Sequence, residues 1–453
     1  MNYRQDHVAR LTCLFNKAIK HRDRLLTEAT LRKYIQSFLA RKDIFKESGH
    51  RFGTPQYIFD QPALSLAITR FKDTFSEYLP RYQVFYAMKS NSFSGLCQQA
   101  VAQGLGLDVS SGLELLKALE TGCKRIIFSG PGKTIEELKL AIKYRERVTL
   151  QVDSFGELGR VSKLIAKSSK NTTPLRMGIR IHSQNSWSKF GTPLKDLPLI
   201  LRQAMGIKGL DPCGLQFHAS WNLDPSAQIE MINTIGDFLS KSVPADSRSR
   251  LRFLDIGGGF WPEIGEWLNS RNTIKGRILE IIDPQVRFQN KHYHLAASPL
   301  EKFALGISKE LLRQPSPLKE IEVWMEPGRW ISNSAMHILL TVLDKKDHYT
   351  VITDGGINLL GWERPLSEYI PLLNLTRPSL KEIQINVYGS LCTPLDVWGY
   401  SIFGEGIEEG DVLLVPDQGA YTYSLRQSFI KPIARVVQFN GSRLRLAEKE
   451  ENL

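Results

Sequence analysis

Tyr82-Gln-Val-Phe-Tyr-Ala-Met-Lys89, Leu105-Gly-Leu-Asp-Val-Ser-Ser111 and Glu114-Leu-Leu-Lys-Ala-Leu119 follow one another in the chain, and their joint reading decides the fold. The first two are short β-rich runs that end in polar groups, and the third is apolar at helical spacing. The alternation continues through Arg125–Pro131, Val148–Ser154, Leu175–His182, Gly214–Ser220, Leu251–Gly259 and Glu322–Arg329. Amphipathic stretches such as Ile135-Glu-Glu-Leu-Lys-Leu-Ala-Ile142 lie between them. Strand–helix alternation predicts a parallel sheet, and eight such units predict a closed, TIM-like (β/α)8 barrel of the α/β class. A longer stretch, Trp261 to Lys319, separates the last two runs and is expected to hold more than one helix.

Outside the barrel the pattern changes. Leu11, Leu14, Phe15, Ile19 and then Leu31, Tyr34, Ile35, Phe38, Leu39 recur at three-to-four-residue spacing, which predicts an N-terminal helical extension over residues 1–50. The turn-rich stretch Gly49 to Pro55 ends it. The barrel is expected over 51–332, although its first short strand, Gln56–Asp60, could pair elsewhere. Beyond residue 332, Ile338–Leu343, Tyr349–Thr353, Ile383–Tyr388, Asp411–Val415 and Ile433–Phe439 read as strands with turns between. Residues 333–453 therefore predict a β-rich C-terminal domain, a sandwich or barrel, with which Gln56–Asp60 could pair.

The 453 residues are 42% hydrophobic and 23% charged, which excludes disorder as the dominant state. No apolar run reaches the ~18–20 residues of a membrane span, and the first residues lack a secretory pattern. Five cysteines, Cys13, Cys97, Cys123, Cys213 and Cys392, are scattered and never spaced as CxxC. No metal site is expected from them, and a reducing, cytoplasmic setting is. The +12 charge comes from dispersed, mixed runs such as Lys143-Tyr-Arg-Glu-Arg147, without any RRM, helix-turn-helix or zinc-finger pattern. That favours a mild preference for acidic ligands and no nucleic-acid or membrane partner.

In such a barrel the chemistry lies at the C-terminal ends of the strands. Here those ends carry Lys89 with Ser90 and Asn91, Asp108 with Ser110, Ser129, Asp153, Arg180, His218, Gly257-Gly258-Gly259, and Glu326 with Arg329. Any one could be a turn residue or a helix cap. Eight polar ends, including Lys, Arg, His and Glu, are better explained as an active-site ring. Lys89 ends an apolar strand, where desolvation would free its amine for Schiff-base chemistry. A snorkelling lysine is the alternative. The glycine triplet is a tight turn able to approach a phosphate. A lysine, a phosphate cradle and an isolated carboxylate suit pyridoxal 5′-phosphate, whose pyridinium nitrogen needs an acidic partner.

With these residues quoted, the chain resembles the fold-type III pyridoxal-phosphate-dependent decarboxylases, the family of the diaminopimelate, ornithine and arginine decarboxylases. The resemblance runs from about Gly53 to Phe429. It rests on Tyr86-Ala-Met-Lys-Ser-Asn91, Leu107-Asp-Val-Ser-Ser-Gly-Leu-Glu-Leu115, Ser188-Lys-Phe-Gly191, Phe217-His218, Asp255-Ile-Gly-Gly-Gly-Phe260, Glu326-Pro-Gly-Arg329, Leu391-Cys-Thr-Pro-Leu-Asp396 and Gly419-Ala-Tyr421, in that order. It implies that Lys89 forms the Schiff base with the cofactor, that His218 stacks on its ring and that Glu326 bonds its pyridine nitrogen. Arg329 would lie close to the phosphate or the substrate. Gly257, Gly258, Gly259 and Tyr421 would surround the phosphate, with Asp108 and Arg180 lining the pocket. Cys392, from the second subunit of a head-to-tail homodimer, would return a proton after CO2 leaves. Alanine racemases share the barrel but place an arginine at the pyridine nitrogen, so Glu326 argues against a racemase.

The resemblance thins at the substrate. Diaminopimelate decarboxylases follow the cysteine with glutamate and ornithine decarboxylases with aspartate, whereas this chain has Thr393. Arg364 could grip a substrate carboxylate bidentately, and Thr393 and Asp396 are further substrate candidates. Tyr369 stands one residue beyond the family's usual spacing. In His218-Ala-Ser-Trp-Asn222, Trp221 puts a bulky ring where a small phosphate-contacting serine is expected. Cys-Thr-Pro-Leu-Asp is similar to branches serving siderophore or secondary-metabolite pathways. The expectation is therefore decarboxylation of an acidic, conjugated or carrier-linked amino acid. Diaminopimelate decarboxylase is the first alternative. A non-catalytic regulatory homologue is the second, and it would be expected to lack Lys89, Cys392 or the glycine cradle.

Overall fold

The computed structural model describes residues 10–11, 14, 24–167, 173–183, 188–283, 291–361 and 368–451. The chain forms two compact units. One holds Ala63–Trp261 and Ser298–Ser332, and the other gathers Pro262–Ala297, Asn333–Leu453 and the described residues up to Pro62. Among the described residues no helix is long and apolar enough to cross a membrane.

The first unit is the eight-stranded parallel barrel. Its strands are Tyr82–Ala87, Gly106–Val109, Ile126–Phe128, Val148–Val152, Leu175–His182, Leu210–Gln216, Phe253–Asp255 and Glu322–Met325. Each pairs in parallel with its neighbours in chain order, and Val323 opposite Tyr82 closes the ring. Helices cover the outside because their apolar residues recur at helical spacing and their first turns are capped. Ser111 accepts from the Glu114 amide, Ser154 from the Glu157 amide, and Thr134 and Glu137 form a reciprocal capping box. Inside, large rings face small residues: Phe253 stacks on Trp324 at 3.6 Å, and a side chain at Gly214 would collide with the Phe253 ring. Apolar packing fills the barrel's interior and leaves the C-terminal rim to the polar groups.

The second unit is built on a nine-stranded sheet. Met336–Asp347 lies at its centre and pairs with Thr350–Thr353, Val412–Val415 and Gln56–Asp60. Gln56–Asp60 also runs parallel to Arg435–Phe439, so this early strand belongs to the β-rich unit. Three strands lie beyond those expected: Leu373–Asn374, Val397–Phe403 and Leu444–Glu448. Helices Glu28–Leu39 and Lys42–Phe52 bury Leu31, Ile35, Phe38 and Phe45 in the same apolar cluster as Ile58, Leu339, Leu414 and Val437. At roughly 1.5–3 kcal/mol for each fully buried large side chain, these four anchors fix the helices to the sheet. The stretch between the last two barrel strands holds the expected helices, Ile274–Ile282 and Leu300–Arg313. It also holds an antiparallel pair, Glu266–Asn269 with His292–Leu295, joined by Arg24–Leu25.

Candidate active site

Lys89 leaves the first barrel strand in a single 3-10 turn, Met88–Ser90. The turn is pinned from below. The Ser90 hydroxyl donates to Ala87 O at 2.9 Å, the Tyr86 hydroxyl donates to Asn91 O at 2.9 Å, and a side chain at Gly328 would strike Ser90. The Lys89 amine lies 3.1 Å from Asp108 Oδ2 on the neighbouring strand. The structure thus gives Lys89, at the end of its apolar strand, a buried carboxylate partner in Asp108. Ser129, following the third strand, donates to Asp108 Oδ1 at 2.5 Å and fixes that carboxylate from the other side.

The eighth strand pairs with the first from its other side, and Glu326, which follows it, is 2% exposed. Gln216 Nε2 donates to its Oε1 at 3.2 Å, while Oε2 is buried with no hydrogen-bond partner among the described residues. Asp255, ending the seventh strand, is fully buried beside it and accepts from the Gly257 amide at 2.9 Å and from Gln151 Nε2 at 3.1 Å. Burial raises the pKa of both carboxyls. For Asp255 the next cause is Glu326 itself; for Glu326 it is the charge of Asp108. Two carboxyls buried together resist ionising at the same time.

The glycine triplet turns the chain between these groups. Gly257 and Gly259 take φ of +68° and +81°, which L side chains rarely adopt. A Cβ at Gly257 would lie 2.7 Å from Phe217 O, and those at Gly258 and Gly259 would collide with Glu326 O and Ala219 O. The backbone here is bare by necessity, as a phosphate cradle requires. His218 lies beside it, its Nδ1 3.3 Å from the Ser220 hydroxyl. Burial, then the charges of Lys89 and Arg180, press the imidazole pKa down to about 3, so the ring is neutral at ordinary pH. Arg180 packs its guanidinium 4.4 Å from the Phe190 ring, and Arg329 packs 4.4 Å from the Trp261 ring.

Lys89, Asp108, Arg180, His218, Gly257, Gly258, Gly259, Glu326 and Arg329 therefore share one barrel unit. Cys392, Thr393, Asp396 and Tyr421 belong to the β-rich unit. Cys392 is exposed. Asp396 is 1% exposed, and its oxygens accept from the Ile357 amide at 2.8 Å and the Leu391 amide at 2.6 Å. A carboxylate engaged in this way shapes the Cys392 loop; the direct substrate contact expected of Asp396 is not open to it. Tyr421 takes a left-handed backbone, with φ of +57°. Arg364 lies outside the described residues.

Sequence reasoning passes over Gln151 and Gln216 and gives Asp255, quoted within a motif, no role of its own. Each is a buried polar side chain in a barrel strand, and an uncompensated one would cost roughly 1–3 kcal/mol. That cost is the available signal.

The barrel residues fit pyridoxal 5′-phosphate. They supply an amine on a held turn, a bare glycine cradle, and a buried carboxyl whose second oxygen lacks a hydrogen-bond partner among the described residues. Comparison with known proteins agrees. Residues 66–333 match the pyridoxal-binding domain of the pyridoxal-dependent decarboxylases. The chain is 28% identical over 396 residues to the diaminopimelate decarboxylase of Methanothermobacter thermautotrophicus, covering 84% of this chain and 86% of that one. It is 27% identical over 413 residues to that of Bacillus methanolicus, covering 84% and 87%. Its fold matches the crystal structure of diaminopimelate decarboxylase from Helicobacter pylori complexed with L-lysine, with a TM-score of 0.71 and 22% identity, covering 90% of this chain and 97% of that one. The chain belongs to the pyridoxal-dependent decarboxylases.

Proposed function

We propose that the protein removes one of the two α-carboxylates of meso-diaminopimelate, the one at the D-configured centre, or the α-carboxylate of a closely similar diamino acid. The curated relatives named for that reaction carry this reading, because each aligns over more than four-fifths of this chain. It replaces the acidic, conjugated or carrier-linked substrate expected from Thr393. Pyridoxal 5′-phosphate, once bound, supplies the electron sink for the carbanion left by CO2. The chain's own residues do the rest. Lys89 would hold the cofactor through its Nζ, with Asp108 aiming that nitrogen. The Glu326 carboxyl, buried and with Oε2 lacking a hydrogen-bond partner among the described residues, would bond the pyridine nitrogen. His218, neutral, would present a flat, uncharged face to the cofactor ring. The glycine triplet and Arg329 hold the phosphate. Arg180 lines the pocket beside them.

The assembly we propose is a homodimer in which Cys392 of the partner subunit returns the proton to the α-carbon. Mixing Lys89→Ala with Cys392→Ala protein should restore part of the lost activity, because hybrids contain one intact site. Four scattered thiols without a disulfide among the described residues support a reducing, cytoplasmic setting.

Thr393 supports a second reading. Without a carboxylate after Cys392, a distal ammonium loses a partner, and a substrate with a masked distal group would fit better. A substrate panel separates the two. kcat/KM for meso-diaminopimelate should exceed those for lysine, ornithine, and citryl- or carrier-linked amino acids. Preference for a conjugate would overturn the first reading.

A further inference from the structure

Trp221 is 65% exposed, yet it holds a left-handed backbone, with φ of +63°. A bulky residue rarely accepts this conformation, and the surrounding chain enforces it. Asn222 clamps the loop after the sixth strand to the loop after the seventh. Its amide donates to Gly259 O at 2.9 Å, its carbonyl accepts from the Trp261 amide at 3.3 Å, and its side chain donates to Ala219 O at 2.8 Å. The result is an aromatic pair: the Trp221 and Trp261 rings lie 5.5 Å apart, inclined by 31°. Trp261 is 6% exposed, and the Arg329 guanidinium sits 4.4 Å from its ring centroid.

The column Trp221–Trp261–Arg329 thus runs from solvent to the residue that opens the helix after the eighth strand. It stands immediately beyond the glycine turn of residues 257–259. A guanidinium against an indole is attracted by the ring's quadrupole and loses rotational freedom. We propose that the Trp221–Trp261 pair positions Arg329 for the phosphate end of the cofactor, with Trp261 the direct support and Trp221 the cap that fixes its ring. Both tryptophans are positioning residues. This rests on the protein binding pyridoxal 5′-phosphate, and the wild-type titration tests that separately.

The test titrates apoprotein with pyridoxal 5′-phosphate and, in parallel, with pyridoxal, which lacks the phosphate, following the visible absorbance band. Trp261→Leu should weaken the phosphorylated ligand by about tenfold and leave pyridoxal unchanged. Trp261→Phe should recover most of the difference. Trp221→Gly, which relieves the backbone constraint, should keep or raise the apoprotein Tm while weakening only the phosphorylated ligand, by about threefold. Equal weakening of both ligands would overturn the proposal, as would phosphate-ligand affinity in Trp221→Gly and Trp261→Leu that matches wild type. Wild-type protein that takes up neither ligand would overturn the cofactor reading, and this proposal with it.

Discussion

The Lys89 amine lies 3.1 Å from Asp108 Oδ2, and the other Asp108 oxygen accepts a 2.5 Å hydrogen bond from Ser129. The reactive nitrogen is therefore aimed by a chain of contacts that starts two strands away. Asp108→Asn keeps the shape and removes the charge. It should lower kcat/KM by about a hundredfold at saturating cofactor, the cost of a misplaced reacting group. Ser129→Ala, which loses one neutral hydrogen bond, should cost about fivefold. Steady-state kinetics of the two variants rank these effects, and equal losses would argue against Asp108 as the direct partner.

Asp255 and Glu326 form a second relationship, and its pH signature has a definite sign. Burial raises both carboxyls, so the folded protein keeps a proton that the unfolded chain releases near pH 4. The native state then binds more protons, and stability falls as pH rises from about 4 toward the raised native value. Asp255→Asn should flatten this slope in the apoprotein, as followed by urea denaturation at several pH values. Glu326→Gln should lower kcat by about a hundredfold or more while cofactor remains bound.

His218 gives the opposite sign. Its folded pKa of about 3 lies below the ordinary value of 6.5, so the unfolded chain binds the extra proton between these limits. Stability should fall as pH drops from 6.5 toward 3. At pH 5 the contribution is about 1–2 kcal/mol. His218→Phe apoprotein should lose less stability between pH 7 and pH 5 than wild type does, and an identical loss would place the histidine in solvent.

Much of this can be read from the sequence because it depends on local pattern. All eight barrel strands lie within the expected runs or extend them by a few residues, since a strand covered on both faces must be continuously apolar. Lys89, Asp108, His218 and Glu326 stand out as polar groups ending such strands. Gln151 and Gln216 do not, because only partners distant in sequence, Asp255 and Glu326, explain them. Val397–Phe403 escapes notice where Gly399 and Ser401 interrupt its apolar pattern. The pair Glu266–Asn269 and His292–Leu295 escapes for a different reason. It is stabilised by contacts far along the chain, with His292 stacked 3.7 Å from Tyr369 and bonded to Glu382 at 2.8 Å. Tyr369, displaced by one residue from the family spacing, is engaged in this stack.

One buried ion pair serves the fold of the barrel unit. Lys133 and Glu157 are each 1% exposed at the side chain, and the lysine donates to Glu157, Gly130 O and Gln151 O at 2.7–2.8 Å. Glu157→Gln should destabilise the apoprotein by roughly 3–5 kcal/mol, because it leaves a buried charge without compensation. The double change Lys133→Met with Glu157→Leu should recover most of that loss in urea denaturation. A single variant as stable as wild type would mean that water reaches the site.

The most direct measurement is the yield of CO2 and L-lysine from meso-diaminopimelate with the cofactor-loaded protein, run beside Lys89→Ala. The account predicts the two products in equal amounts from wild type and neither from the variant. Cofactor-loaded protein that releases no CO2 from meso-diaminopimelate, or that releases it equally well without Lys89, would contradict it.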